Sequence, residues 1–199
     1  MEVVILRHGK VNYPPVKILS AREFVIWVES YNTNQLDRSI KPNEGAIRIA
    51  RSAGAVVCSD LPRSVESAEY LGVDKPTIID PVFQEAGLPI GSWKFLRFSV
   101  RLWAIIFRIL WFFGYSHGSE SVKDAKFRAK QSAQKLIQLA QDHNLVLFVG
   151  HGIMNRLIAK ELRKSGWEGP KVPSRKYWEY AVYKVKHNNG PRGMLSSAP

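Results

Sequence analysis

Two arginines, two histidines and one glutamate stand in turns that follow apolar runs, and together they have the chemistry to move a phosphoryl group. Arg7 and His8 end the run Val3 to Leu6, Arg63 lies just past Ala55 to Cys58, Glu85 follows Thr77 to Ile79, and His151 ends Leu145 to Val149. A guanidinium presents a planar fork that pairs two phosphate oxygens at once, so Arg7 and Arg63 suit a dianion. The helix expected after His151 would add backbone donors at its positive end. A carboxylate repels phosphate, so Glu85 needs another reason to be there. Proton transfer is that reason: Glu85 would protonate a leaving alkoxide and then deprotonate the water that attacks phosphorylated His8. His8 would be the nucleophile, which requires one ring nitrogen unprotonated and the other held by a backbone carbonyl. His151 and the two arginines would stabilise charge on the transferring oxygens. This chemistry calls for no metal and no cofactor. The chain also lacks the Gly-rich phosphate loop with Lys and Ser or Thr that marks nucleotide-driven motors and kinases.

These side chains are far apart in sequence, so a fold must gather them. Short apolar runs ending in polar turns read as buried strands at residues 3–6, 55–58, 77–79, 145–149 and 177–185. Between them lie helical segments. Ser20 with Glu23 forms a capping-box pattern for a helix to about Tyr31, and Ser121 with Asp124 does the same for a long helix to about Asp142. Pro62 suits the first turn of a helix to about Leu71, and another follows His151 to about Lys164. Asn32 to Gly45 reads as loop. Alternating strands and helices predict an α/β fold, a three-layer α/β/α sandwich with a mainly parallel central sheet and a helical lid insertion at about residues 88–118. Ligands collect at the carboxyl ends of such strands, where the turns after Leu6, Cys58 and Val149 would converge. One domain over residues 1–187 and a disordered tail at 188–199 are expected.

The chain has 199 residues, with 29 Lys and Arg against 17 Asp and Glu, for a formal charge of +12. That excess favours anionic partners. A phosphorylated small molecule is the expected substrate. No nucleic acid is expected, since basic and aromatic residues do not interleave on a strand platform. The single cysteine, Cys58, reads as a small buried hydrophobe. No secretory signal is read ahead of the first motif, so a cytoplasmic location is expected, at most peripheral to a membrane. The segment Trp93 to Phe113 is rich in Trp, Phe, Ile and Leu but is interrupted by Lys94, Arg97, Arg101 and Arg108, too often for a spanning helix. On one helix these cations would share a stripe roughly 60° wide. Three readings stay open: a lid helix with its stripe in water, a homodimer contact, or a helix lying on an anionic membrane surface. His117, His143 and His187 have no comparable context and are assigned no role.

The ordered set Leu6-Arg7-His8-Gly9, Ser59-Asp60-Leu61-Pro62-Arg63-Ser64, Glu85 after Phe83, Gly118-Ser119-Glu120-Ser121 with Arg128 beyond, and Val149-Gly150-His151-Gly152 resembles the histidine phosphatase superfamily, the phosphoglycerate-mutase-like proteins. The resemblance covers roughly residues 2–160. It implies that His8 accepts the phosphoryl group, that Arg7, Arg63 and His151 bind phosphate, and that Glu85 is the proton donor. Asn12 is carried over as a pocket residue, although the family asparagine sits a little farther from the histidine. Mutases of the family usually follow Arg-His-Gly with an acidic residue, a tryptophan and an asparagine, where this chain reads Lys10, Val11, Asn12, Tyr13, Pro14. The expected activity is therefore a metal-independent phosphomonoesterase of the histidine acid phosphatase type. The alternatives are a phosphoglycerate-mutase-type phosphoryl transferase and a catalytically idle module that binds phosphorylated ligands or membranes. Retention of both His8 and Glu85 weighs against the idle module, which needs neither.

Overall fold

The computed structural model describes residues 1–13 and 18–185, so the expected tail at 188–199 lies outside the described residues. In chain order the elements are β1 (Glu2–Arg7), β2 (Leu19–Ser20), α1 (Ala21–Thr33), α2 (Glu44–Ser52), β3 (Ala55–Cys58), α3 (Pro62–Tyr70), β4 (Ile78–Ile79), a 3-10 turn (Pro81–Phe83), β5 (Arg97–Phe98), α4 (Val100–Phe112), α5 (Val122–His143), β6 (Leu145–Gly150), α6 (Gly152–Lys164), β7 (Trp167–Glu168) and β8 (Tyr180–Val185). Six strands form one sheet in the order β4-β3-β6-β1-β8-β7. The first four run parallel, and β8 and β7 close that side with antiparallel pairings.

Successive strand residues point to opposite faces, and both faces are covered. Val3, Ile5, Val146 and Phe148 pack under α5 and α6, against Leu136, Ala140 and Ile158. Val4, Leu6, Leu147 and Val149 pack on the other face, against Ala46 and Ala50 of α2 and Ala68 of α3. The result is a three-layer α/β/α sandwich whose central strands β1, β3 and β6 carry continuous apolar runs because both of their faces are covered. Cys58 belongs to the second face, fully buried, and burial pushes its thiol up to about 12, so it behaves as a hydrophobe.

Register brings the motifs together. Leu6 and Cys58 both lie abreast of Val149, and Arg7 abreast of Gly150, so three turns leave one sheet edge side by side. The His8 N–H donates to the Gly150 carbonyl at 3.0 Å, which joins the first turn to the last. Gly9 then passes against Trp178, where an added Cβ would come within 2.2 Å of the indole. Trp178 cannot yield, since it is buried and its indole N–H donates to Ile40 O at 3.1 Å. Gly9→Ala is therefore expected to destabilise the fold by about 1–3 kcal/mol through overpacking and to displace the His8 turn. Denaturant titration checks this, and unchanged stability would show that the turn tolerates a side chain.

Both capping boxes form as read, at Ser20 with Glu23 and at Ser121 with Asp124. Three expectations need correction. The stretch after Asn32 is not loop to Gly45, because Asn43 caps α2 through its side chain and the helix starts at Glu44. The last strand starts at Tyr180 rather than Tyr177. The third concerns the cationic stripe. Helix α4 starts only after the Ser99 cap, and Arg97 sits on β5, which pairs with β2 and places Arg97 3.4 Å from Glu23. Lys94 also lies outside α4, so the four cations share no helical face. Only Arg101 and Arg108 remain on the helix, and the Arg108 guanidinium is not in water: it donates to Ala86 O at 2.8 Å and Gly87 O at 3.1 Å.

The insertion is anchored by aromatic packing. Trp103 and Phe107 of α4 are buried against Phe24 of α1, and the Trp103 indole N–H donates to Leu19 O at 2.7 Å. Burying Phe107 contributes about 1.5–3 kcal/mol. No helix among the described residues is long and apolar enough to cross a membrane.

Candidate active site

His8 is buried in the turn after β1. Its Nδ1 lies 2.7 Å from the Gly9 carbonyl, which can only accept, so Nδ1 carries the proton and Nε2 keeps a free lone pair. Burial lowers the His8 pKa well below its ordinary value, and the Arg63 and Arg7 guanidiniums add to the effect. The ring is therefore neutral in ordinary conditions, with its lone pair on Nε2. His151 stands 5.1 Å away, centroid to centroid, and is fully buried. Its pKa is lowered by burial first, then by His8, Arg63, Arg7 and Arg128. Ser59 Oγ holds His151 Nε2 at 2.7 Å while also accepting from the Leu61 N–H at 3.3 Å. With the hydroxyl donating to Nε2, the His151 proton sits on Nδ1, which has no hydrogen-bond partner.

The arginines sit on aromatic platforms. Arg7 lies 4.4 Å over the Tyr177 ring, and its Nη1 donates to Arg175 O. Arg63 lies 5.1 Å over Tyr31, and its Nη1 donates to Asn32 Oδ1 at 3.0 Å. Burial and the neighbouring Tyr177 hydroxyl push the Tyr31 phenol up, so it stays protonated. Arg7 Nε and Arg63 Nε are buried without partners, as is His151 Nδ1. Unsatisfied buried N–H groups are costly in a folded protein and mark a place built for an acceptor. His8, Arg63 and Glu85 line one chamber of about 340 Å³.

Glu85 occupies an unexpected position. Its Oε1 accepts from the N–H groups of Ala86 at 2.9 Å, Ile153 at 3.0 Å and Met154 at 2.9 Å, while Oε2 accepts from Ile153 alone, at 3.1 Å. The positive end of α6 therefore holds this carboxylate, and its Ile153 and Met154 donors are not free for phosphate as the sequence suggested. Oε2 is the less engaged oxygen. Arg128 braces the segment from behind, donating to the carbonyls of Val82, Gln84 and Glu85 and pairing with Glu120 at 2.5 Å.

Arg7, His8, Arg63, Glu85 and His151 are thus brought together, and Asn12 is not. Asn12 is exposed, with its backbone N–H bonded to Gln35 O, and the asparagine of the chamber is Asn32. Tyr31 and Tyr177 also belong to the site, beneath Arg63 and Arg7, and neither stands in a motif. The only available signal for Tyr31 and Asn32 was their place at the end of the first helix, within reach of the strand-end turns. Among the described residues no cluster of His, Cys, Asp or Glu is suited to hold a metal ion.

The sequence model described as Histidine phosphatase superfamily (branch 1) matches residues 46–191. The chain belongs to the histidine phosphatase superfamily. Solved structures share the superfamily fold at low identity. The open reading frame Rv3214 of Mycobacterium tuberculosis is 15% identical over 94% of this chain and 92% of its own, with a TM-score of 0.55. YhfR of Bacillus stearothermophilus is 17% identical over 94% and 92%, with a TM-score of 0.53. A phosphoserine phosphatase mutant from Entamoeba histolytica, in complex with phosphoserine, is 15% identical over 94% and 91%, with a TM-score of 0.51. No curated protein matches the chain.

The buried histidines have a consequence for stability within this superfamily member. Both have folded-state pKa values below the unfolded value near 6.5, so between those limits the unfolded chain binds protons that the native one does not. Their contribution is complete above about pH 6.5 and is lost as pH falls through that value toward the folded pKa values. Stability is expected to drop from pH 7 to pH 5, with His8→Ala removing about one proton from the slope. Urea denaturation at a series of pH values reads this directly, and a flat profile would contradict the neutral assignment.

Proposed function

We propose that the protein is a metal-independent phosphomonoesterase that works through a phosphohistidine intermediate on His8. The observation that carries the reading is the Nδ1 contact to Gly9 O, which leaves the Nε2 lone pair free in a chamber that Arg7 and Arg63, each with a buried and unpartnered Nε, also line. In the first step Nε2 attacks phosphorus and the bond to the leaving oxygen breaks. Arg7, Arg63 and His151 donate to the three phosphoryl oxygens as charge shifts among them. Glu85, protonated at Oε2, gives its proton to the leaving oxygen. In the second step the Glu85 carboxylate takes a proton from water, the water oxygen attacks phosphorus, and the P–N bond breaks to release inorganic phosphate and neutral His8. Tyr31, Asn32 and Tyr177 position the two guanidiniums.

A mutase would share the first half reaction and then deliver the phosphoryl group to a second phosphorylated acceptor. The replacement of the mutase-type residues after Gly9 by Lys10, Val11 and Asn12 favours water as the acceptor. Hydrolysis of p-nitrophenyl phosphate across pH 4 to 9, with chelator present, tests the proposal. Chelator-resistant release of phosphate is the expected result. Activity that appears only on adding a divalent metal would overturn the metal-independent mechanism.

A further inference from the structure

Beside the His8 chamber lies a larger cavity of about 830 Å³, which shares Arg7, Glu85, Leu88, Ala104 and Arg108 with it as lining. Arg7, Arg101, Arg108, Arg156 and Arg175 line it against a single carboxylate, Glu85. That carboxylate is already committed to backbone N–H groups at the start of α6. Among the described residues none of these five arginines forms an ion pair. Arg156 Nε is buried with no hydrogen-bond partner, and burial followed by the Arg175 charge pulls the Arg156 pKa down. Like charges gathered in a recess repel one another, and an anion bound among them relieves that repulsion. One phosphoryl group facing His8 is served by Arg7 and Arg63. Arg101, Arg156 and Arg175 exceed what it needs.

The α4 side of the cavity also carries apolar side chains. Ile105, Ile109 and Phe112 stand 47%, 51% and 57% exposed at the cavity. Together with Arg101 and Arg108 they follow helical spacings of three and four, so one stripe of α4 presents cations and apolar side chains to the same space. A doubly phosphorylated sugar would satisfy the arginines and leave these side chains in water. A simple alkyl phosphate would do the reverse.

We propose that the substrate is an amphiphilic phosphate ester whose leaving group carries a second anionic group. Its terminal phosphoryl group lies at His8, its second anion among Arg101, Arg156 and Arg175, and its apolar chain along Ile105, Ile109 and Phe112. This rests on the phosphatase reading above and adds the substrate class to it.

Four soluble probes separate the contributions: dihexanoyl phosphatidylglycerol phosphate, which has both features; its deacylated form, with the second anion only; dihexanoyl phosphatidic acid, with the chains only; and p-nitrophenyl phosphate, with neither. The first is expected to exceed each of the others in kcat/KM by about tenfold or more, as one charge-assisted contact or one buried chain would give. In the double variant Arg101→Gln/Arg156→Gln, the ratio of kcat/KM for the first probe over phosphatidic acid is expected to fall about tenfold. Equal rates on all four probes, or a ratio unmoved by the variant, would overturn the substrate class while leaving the phosphatase reading intact. Absence of His8-dependent hydrolysis of every probe would overturn both.

Discussion

Replacing His8 with alanine is expected to lower kcat/KM for p-nitrophenyl phosphate by roughly 10⁴-fold or more, because the variant loses the covalent route altogether. The remaining donors, Arg7, Arg63 and His151, would still bind phosphate, so the loss should appear in kcat rather than KM. The fold should survive. His8 contributes a backbone N–H to Gly150 O, which alanine keeps, and its side chain is a desolvated polar ring whose partner is the adjacent Gly9 carbonyl. Circular dichroism together with phosphate or vanadate binding separates loss of chemistry from loss of structure. A variant that folds, binds vanadate and still turns over within tenfold of the parent would remove His8 from the reaction.

Glu85→Gln is expected to reduce turnover of alkyl phosphates by about 10²–10⁴-fold, the usual span for loss of a general acid. The glutamine carbonyl can still accept from Ile153 and Met154, so the start of α6 keeps its partner. The leaving group decides how the loss is distributed. Nitrophenolate departs without a proton, so phosphorylation of His8 by p-nitrophenyl phosphate should be affected far less than phosphorylation by an alkyl ester. Hydrolysis of the intermediate still needs a base to accept the proton of water. The variant should therefore give a burst of about one nitrophenolate per active site, followed by a slow steady state. Equal losses on both ester classes, with no burst, would assign Glu85 a structural role at the helix end.

The site was legible where sequence carries local signals. Continuous apolar runs cut off by Arg7-His8-Gly9 and by Gly150-His151-Gly152 marked strands whose ends meet, and the two capping boxes fixed the starts of α1 and α5. What could not be read was decided by tertiary contacts. The destination of the Glu85 carboxylate depends on how the segment braced by Arg128 meets α6, and nothing near Glu85 in sequence encodes that. Asn12 follows the Arg-His-Gly motif closely in sequence, but Arg63 packs on α1 beside Tyr31 and so finds Asn32. The cationic stripe failed for a similar reason: a two-residue pairing between β2 and β5 removes Arg97 from the helix. Arg156 lies one turn into α6 and Arg175 in the approach to β8, so the cavity they share with Arg101 appears only once the chain is folded.

The most direct test of the central claim is to trap the intermediate. Wild-type protein and Glu85→Gln, mixed with radiolabelled phosphomonoester and quenched in alkali within the first turnover, should carry phosphate that is stable to base, labile to acid, and confined to the peptide containing His8. Label on another residue, or turnover without label on protein in either form, would contradict the phosphohistidine mechanism and favour direct attack by water.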